Sequence, residues 1–255
     1  MSIKRNELTK HLNNLLNIYE YSDYGPNGLQ VEGKTEIKKI AFSVSATVDS
    51  INQASAWGAD ALIVHHGIFW KHQSARTITG PHANRIKPLI QNDINLYGYH
   101  LPLDAHTTLG NAAGMANSIG LSELAPFGEY KNSYLGLKGK FSPSIRAREL
   151  KERIEKALNK TITLASPDDS QLISTMGIIT GGANNEWPKA LKDKLDSYLT
   201  GEISEYNWHD AIEAGLHYFA CGHHATERFG VMSLDTHLKN KFGVETKFID
   251  SNNPV

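Results

Sequence analysis

The stretch KKIAFSVSATVDSINQASAWGADALIVHHG, Lys38 to Gly67, holds two strands and the helix that joins them. Lys38–Ala46 is rich in β-branched and aromatic residues, the composition of a strand. Thr47 or Asp49 can cap a helix running to about Trp57. Ala61–Val64 is a short apolar run of the kind buried on both faces of a sheet. Further along, a helix is expected from about Asn84 to Asn92, a strand over Ile94–Tyr99 and a helix over Asn111–Ile119 ending at Gly120. Before this stretch, Leu8, Leu12, Leu15 and Ile18 give Asn6–Ile18 a helical spacing, and Ser22–Gly33 has loop chemistry.

The second half repeats the rhythm. Tyr134–Phe141 reads as a strand, and Ser142-Pro143 as the opening of a helix with Pro at its first position. Glu149/Arg153 and Glu152/Lys156 are i,i+4 pairs on that helix, which reads as a solvated face rather than a basic patch. Strands are expected at Thr161–Leu164, Ser174–Thr180, Ser197–Thr200, Leu216–Cys221 and Val244–Ile249. Alternation over the whole length argues for an α/β fold with parallel or mixed sheets. Functional residues in such sheets sit beyond the carboxyl ends of the strands.

Composition narrows the class. A chain of 255 residues, 40% apolar and 21% charged, can bury a proper core as one large domain or two small ones. Its net charge of −1 argues against a basic nucleic-acid footprint. One cysteine, Cys221, closes no intramolecular disulfide, builds no multi-cysteine metal site and reads as a buried, inert thiol. The polar opening MSIKRNELTK holds no secretory apolar core, and no run approaches the ~20 apolar residues of a membrane span. A cytoplasmic location is therefore expected. The histidines are placed unevenly. Of the 12, 11 lie within His65–His106 or His209–His237, less than a third of the chain. Imidazole is the commonest metal ligand, so two separated segments are expected to meet at one site.

Three motifs carry this chemistry. Val64-His65-His66-Gly67 ends a strand, where a turn at Gly67 would let adjacent histidines serve one site or reach two ions; the plainer alternative is a polar strand end. In His100-Leu101-Pro102-Leu103-Asp104-Ala105-His106, Pro102 favours an extended backbone. Period-2 alternation then puts His100, Asp104 and His106 on one face, with an Asx turn at Asp104 as the alternative. Gly222-His223-His224-Ala225-Thr226-Glu227 follows a strand. If a helix starts there, Glu227 is i,i+4 from His223 and i,i+3 from His224, and spacing does not choose between them. A polar first turn with Glu227 favoured by the helix dipole is the alternative. Four to six such donors exceed the needs of one structural zinc and suit two divalent ions, drawn from Zn, Mn, Fe, Co, Ni or Mg. Weaker signals are Thr180-Gly181-Gly182 (a tight turn before a phosphate loop), Thr200-Gly201-Glu202, where Glu202 could line a cleft, and Phe69-Trp70-Lys71, which reads as core packing before a pocket floor or a surface that stacks on a base.

These motifs, in this order, resemble those of the type 2 GTP cyclohydrolase I family, the YbgI-type dinuclear-metal proteins. The likeness spans essentially the whole chain. It includes Ser22–Gly33 (SDYGPNGLQVEG), Gly58-Ala59-Asp60, the His65-His66 motif with Phe69-Trp70, and Asn92–Gly98. It continues through His100–His106, Gly110-Asn111, Thr200-Gly201-Glu202 and Gly222–Glu227. The resemblance implies two similar α/β lobes, about 1–128 and 129–255, packed together, with 209–255 returning to a metal site in the cleft between them. It implies His65, His66, Asp104, His223 and Glu227 as ligands of two divalent ions per chain, which selects His223 over His224. It also implies a toroidal homohexamer. The activity implied is hydrolysis by activated water on GTP or a related nucleotide, with His100 as candidate proton shuttle. The alternative is a non-enzymatic metal-binding hexameric scaffold or regulatory protein. Any nucleic-acid role would need local basic patches that a net charge of −1 hides.

Overall fold

The computed structural model describes residues 1–73 and 76–255. The chain forms two compact units. The first comprises Met1–Leu103 and Gly230–Asn252, the second Asp104–Phe229 and Asn253–Val255. The division expected near residue 128 therefore falls earlier, and much of the segment 209–255 belongs to the first unit. Strand pairing gives the reason. Ser122–Tyr130 is one arm of an antiparallel hairpin with Ser133–Arg146, so it cannot be parted from the second sheet. Glu245–Phe248 pairs in parallel with Lys39–Ser45, which commits the end of the chain to the first.

The first unit is built on a five-stranded sheet. Its order is Glu245–Phe248, Lys39–Ser45, Ala61–His66, Asn95–Gly98 and Gly28–Val31. The first four strands are parallel and the last is antiparallel to its neighbour. The central strands are buried on both faces, which explains their continuous apolar runs. The helix Val48–Trp57 starts where expected: Thr47 accepts from the Ser50 amide, and Ser50 Oγ accepts from the Thr47 amide. It ends at Gly58, whose φ of 76° a side chain would strain. Within Ser22–Gly33, expected as loop, Gly28–Val31 forms the edge strand.

The second unit carries a six-stranded mixed sheet. Its order is Ser122–Tyr130, Ser133–Arg146, Leu172–Ile178, Ser197–Thr200, His217–Ala220 and Thr163–Ala165. The three strands from Leu172–Ile178 to His217–Ala220 run parallel. Alternate side chains fill the two faces. Leu199 and Phe219 join one buried cluster, Tyr198 and Tyr218 the other. Both buried phenols are satisfied, Tyr198 donating to the Ala183 carbonyl at 2.7 Å and Tyr218 to that of Glu202 at 2.7 Å. The helix Ala147–Leu158 buries Leu150, Ile154 and Leu158 along one stripe, each contributing about 1.5–3 kcal/mol.

Two local expectations are corrected. Pro143 does not open a helix; it lies within the strand Ser133–Arg146, which continues to pair Ile145 with Ile173 and Arg146 with Leu172. The helix begins only at Ala147, once the ladder has ended. The segment after His100 is not extended either. Leu101–Ala105 is a short helix with Pro102 in its first turn, where a missing N–H costs nothing. Its entry is held by side chains: the His100 amide donates to Asn27 Oδ1 at 2.8 Å and the Leu101 amide to Asp23 Oδ2 at 2.9 Å.

Candidate metal centre

In the first unit the carboxyl ends of two parallel strands hold three imidazoles. His65 and His66 end the strand Ala61–His66, and His100 follows Asn95–Gly98. Ring centroids of His65 and His66 are 4.6 Å apart, and that of His100 lies 5.0 Å from the first and 5.7 Å from the second. Each offers a nitrogen within 4.8 Å of the others. Gly67 contributes differently from expectation. Its role is close approach rather than an unusual φ. A Cβ there would fall 2.3 Å from Gln30 Oε1, and one on Gly98 would fall 2.6 Å from Gln30 Nε2. Gln30 accepts from the Ile68 amide at 3.0 Å and donates to the Pro26 carbonyl at 2.8 Å, so it pins the backbone just beyond His66.

All three rings are held through Nδ1. The fully buried His65 has Nδ1 3.0 Å from the Tyr99 carbonyl oxygen. A carbonyl only accepts, so Nδ1 carries the proton and Nε2 the lone pair. His100 Nδ1 lies 2.7 Å from Asp23 Oδ1, with the same consequence. His66 Nδ1 is 3.0 Å from Ser45 Oγ, its register partner across the sheet. Burial alone would raise the Asp23 carboxyl. Hydrogen bonds from His100, Asn27 and the Tyr24 amide outweigh it and hold the group below its usual range.

In the second unit two buried carboxylates and one imidazole come together. Asp104 sits in the short helix Leu101–Ala105, and its Oδ1 accepts from Asn111 Nδ2 at 2.8 Å and Thr180 Oγ1 at 3.0 Å. Glu227 is 2% exposed and closes the helical turn His223–Thr226. Asp104 and Glu227 each offer a carboxylate oxygen within 4.8 Å of the other. His223 Nε2 is 3.2 Å from Glu227 Oε2, and its Nδ1 is 2.6 Å from Glu202 Oε1. Burial would lower the His223 pKa. The hydrogen bonds and charges of Glu227 and Glu202 reverse this and lift it to about 9. Glycines make room for the group. Gly181, at φ +70°, would place a Cβ 2.1 Å from Glu227 Oε1, and Gly201 would place one 2.6 Å from His223 Cα.

Each sequence candidate now has a place. His65, His66 and His100 share one cluster; Asp104, Glu227 and His223 share another. His106 does not join Asp104 on a common extended face, because the segment is helical. Its Nδ1 accepts from the Leu109 amide at 3.1 Å. His224 is buried, and its backbone amide donates to the Val255 carbonyl at 2.9 Å. Thr180-Gly181-Gly182 is the wall on which Asp104 and Glu227 rest, and Glu202 is the partner of His223. Asp23 and Ser45 carried no signal of their own: their roles come from loop packing and strand register. Cys221 is buried, as expected, and burial pushes its thiol well above the ordinary range.

The donors in each unit fit divalent cations. The first offers imidazole nitrogens and the second carboxylate oxygens with the His223 imidazole, the ligand types of Zn, Mn, Fe, Co and Ni. The opposite ring nitrogens are fixed by carbonyl, hydroxyl or carboxylate oxygens, the outer support that ligating histidines almost always have. Two buried carboxyls as close as Asp104 and Glu227 repel each other when both are ionised, so a cation beside them would be favoured.

Comparison with known proteins agrees with the motifs. The model of the DUF34/NIF3 family (NGG1p interacting factor 3) matches residues 3–254. A "GTP cyclohydrolase 1 type 2 homolog" of Haemophilus influenzae is 43% identical over 249 residues, 98% of each chain. A relative of the same name from Escherichia coli K12 is 41% identical, covering 99% of this chain and 100% of that one. Among solved structures, the protein ybgI, described as of unknown function, superposes with a TM-score of 0.93 at 40% identity over 99% of this chain and 100% of that one. A protein from Thermus thermophilus does so with 0.91 at 31% identity and the same coverage. The chain belongs to the DUF34/NIF3 family.

Proposed function

We propose that the chain binds two divalent metal ions through His65, His66, Asp104, His223 and Glu227, and that it is a metal-dependent hydrolase acting on a nucleotide or related small molecule. The observation that carries this is the common posture of the clustered imidazoles. Each is held through Nδ1 by an oxygen, so that Nε2 is the atom presented. The relatives' name, GTP cyclohydrolase 1 type 2 homolog, supports GTP as the first substrate to try.

Divalent ions at these residues would supply Lewis acidity and make water a stronger acid near neutral pH. The chain itself supplies orientation. Tyr99 fixes the His65 tautomer, Asn111 and Thr180 fix one oxygen of Asp104, and Glu202 fixes His223. His100 is the candidate proton carrier. Asp23 holds its Nδ1–H, leaving Nε2 to take up or release a proton. The same reading extends to a toroidal homohexamer whose metal sites face an internal cavity, and to the cytoplasm. Among the described residues no helix is long and apolar enough to cross a membrane.

The test is a turnover assay on Mn- or Zn-loaded protein. It would follow formate and phosphate release from GTP, then a panel of phosphoesters and amides. Turnover that is lost in Glu227→Ala supports the reading. Metal-loaded protein that turns over nothing contradicts hydrolysis and leaves a metal-binding scaffold.

A further inference from the structure

Two loops of the first unit place aromatic rings on His100. The Trp70 ring meets it edge to face, with centroids 5.1 Å apart at 88°. The Tyr24 ring meets it at 6.1 Å and 64°. Trp70 also lies against His66, at 6.0 Å. The loops are stitched together. The Lys71 amide donates to the Tyr24 carbonyl and Lys71 Nζ to the Asp23 carbonyl, each at 2.7 Å. A Cβ on Gly25 would fall 2.5 Å from the Phe69 oxygen, so only glycine allows this approach. The indole is fixed in turn, with Nε1–H donating to the Gly67 carbonyl at 3.2 Å. The indole is thus positioned before any ligand arrives, and the backbone that carries Tyr24 is held beside it. Yet the rings are not spent on a core: Tyr24 is 45% exposed, Phe69 beside it 38%, and Trp70 is half-buried. Aromatic side chains set beside a few convergent polar groups are the lining that small-molecule sites use.

We propose that Tyr24 and Trp70 are substrate-recognition walls, which stack on a planar heteroaromatic ring and hold it beside the imidazole cluster. The inference rests on the reading that this cluster serves a reaction on small molecules, and it names the part of the substrate that is recognised. An aromatic face attracts another π-face through dispersion and quadrupole complementarity and gains far less from a sugar or an acyclic chain. Such stacking contributes on the order of tenfold in affinity per ring.

The test compares GMP with ribose 5-phosphate, which share a phosphorylated sugar and differ by the base. Affinities for the metal-loaded full chain are measured by calorimetry and by tryptophan quenching. Wild-type protein is expected to bind GMP at least about tenfold tighter than ribose 5-phosphate. Trp70→Ala and Tyr24→Ala should each lose on the order of tenfold for GMP and nothing for ribose 5-phosphate, while Trp70→Phe keeps most of the affinity. Equal affinity for the two probes, no binding of GMP, or undiminished GMP binding in both alanine variants overturns the proposal. So does a smaller assembly of Trp70→Ala in light scattering, which would make the rings an interface between copies. Metal content of the same samples separates two failures. Wild-type protein that takes up no metal refutes the hydrolytic reading, whereas metal-replete protein indifferent to the base refutes stacking alone. If Trp70→Ala sheds metal, Tyr24→Ala decides.

Discussion

Gly181→Ala separates backbone strain from damage to the site. Gly181 has φ +70°, so an alanine there costs about 1–2 kcal/mol in backbone strain alone. Its Cβ would also lie 2.1 Å from Glu227 Oε1, where ordinary contact needs more than 3 Å, so the carboxylate must move by about 1 Å. Metal ligands tolerate only about 0.2 Å. Gly215 provides the control. It has φ +76°, and a Cβ there meets nothing within 4 Å. Gly215→Ala should therefore lose the same 1–2 kcal/mol in urea denaturation of metal-free protein but bind metal as wild type does. Gly181→Ala should lose at least as much stability and, in addition, about 10–100-fold in metal affinity by competition with a chelator. If the two variants bind metal equally well, the placement of Glu227 as a ligand against Gly181 is refuted.

Other perturbations probe the supports. Glu202→Gln removes the carboxylate that fixes His223 Nδ1 while leaving the core untouched, so metal affinity should fall by roughly tenfold, while the urea midpoint of metal-free protein falls only slightly through the lost charge beside His223. Asp23→Asn should cost about 1–3 kcal/mol at pH 7, because the amide cannot accept from His100, Asn27 and two backbone amides together. The Asp23 carboxyl titrates below its ordinary 3.8, so its contribution is present above that pH and is lost as the pH falls through the folded value. Acid melts of Asp23→Asn should accordingly be flatter below about pH 4 than those of wild type. At a distance from the site, His11 and His237 stack with Nε2 atoms 2.9 Å apart, and burial lowers both below 6.5. The unfolded chain then binds more protons just below pH 6.5, and stability should drop as the pH falls through that value. His237→Phe should flatten this slope in thermal melts between pH 7 and pH 5.

Much of this was legible because local signals agreed with tertiary need. The strand–helix–strand of Lys38–Gly67 reads correctly since its strands are buried on both faces and its helix has both a Thr47 cap and a Gly58 stop. The segment 101–105 misled because Pro102 favours both an extended chain and a first helical turn. Asp23 and Asn27, some 75 residues away in sequence, settle the matter by capping it. Pro143 misled for a similar reason: helix opening and an interruption within a long hairpin share one residue type, and only the ladder with Leu172–Ile178 distinguishes them. Among the site residues, the histidines announce themselves by clustering in sequence. Thr180-Gly181-Gly182 reads first as a tight turn and Asp23 as part of a loop, because their roles are to hold and make space, and those roles exist only once distant strands are side by side.

Elemental analysis of purified wild-type, His65→Ala and Glu227→Ala protein decides whether these residues hold metal. About two divalent ions per chain are expected in wild type and a clear loss in each variant, with folding confirmed by circular dichroism. Unchanged metal content in both folded variants would contradict this assignment.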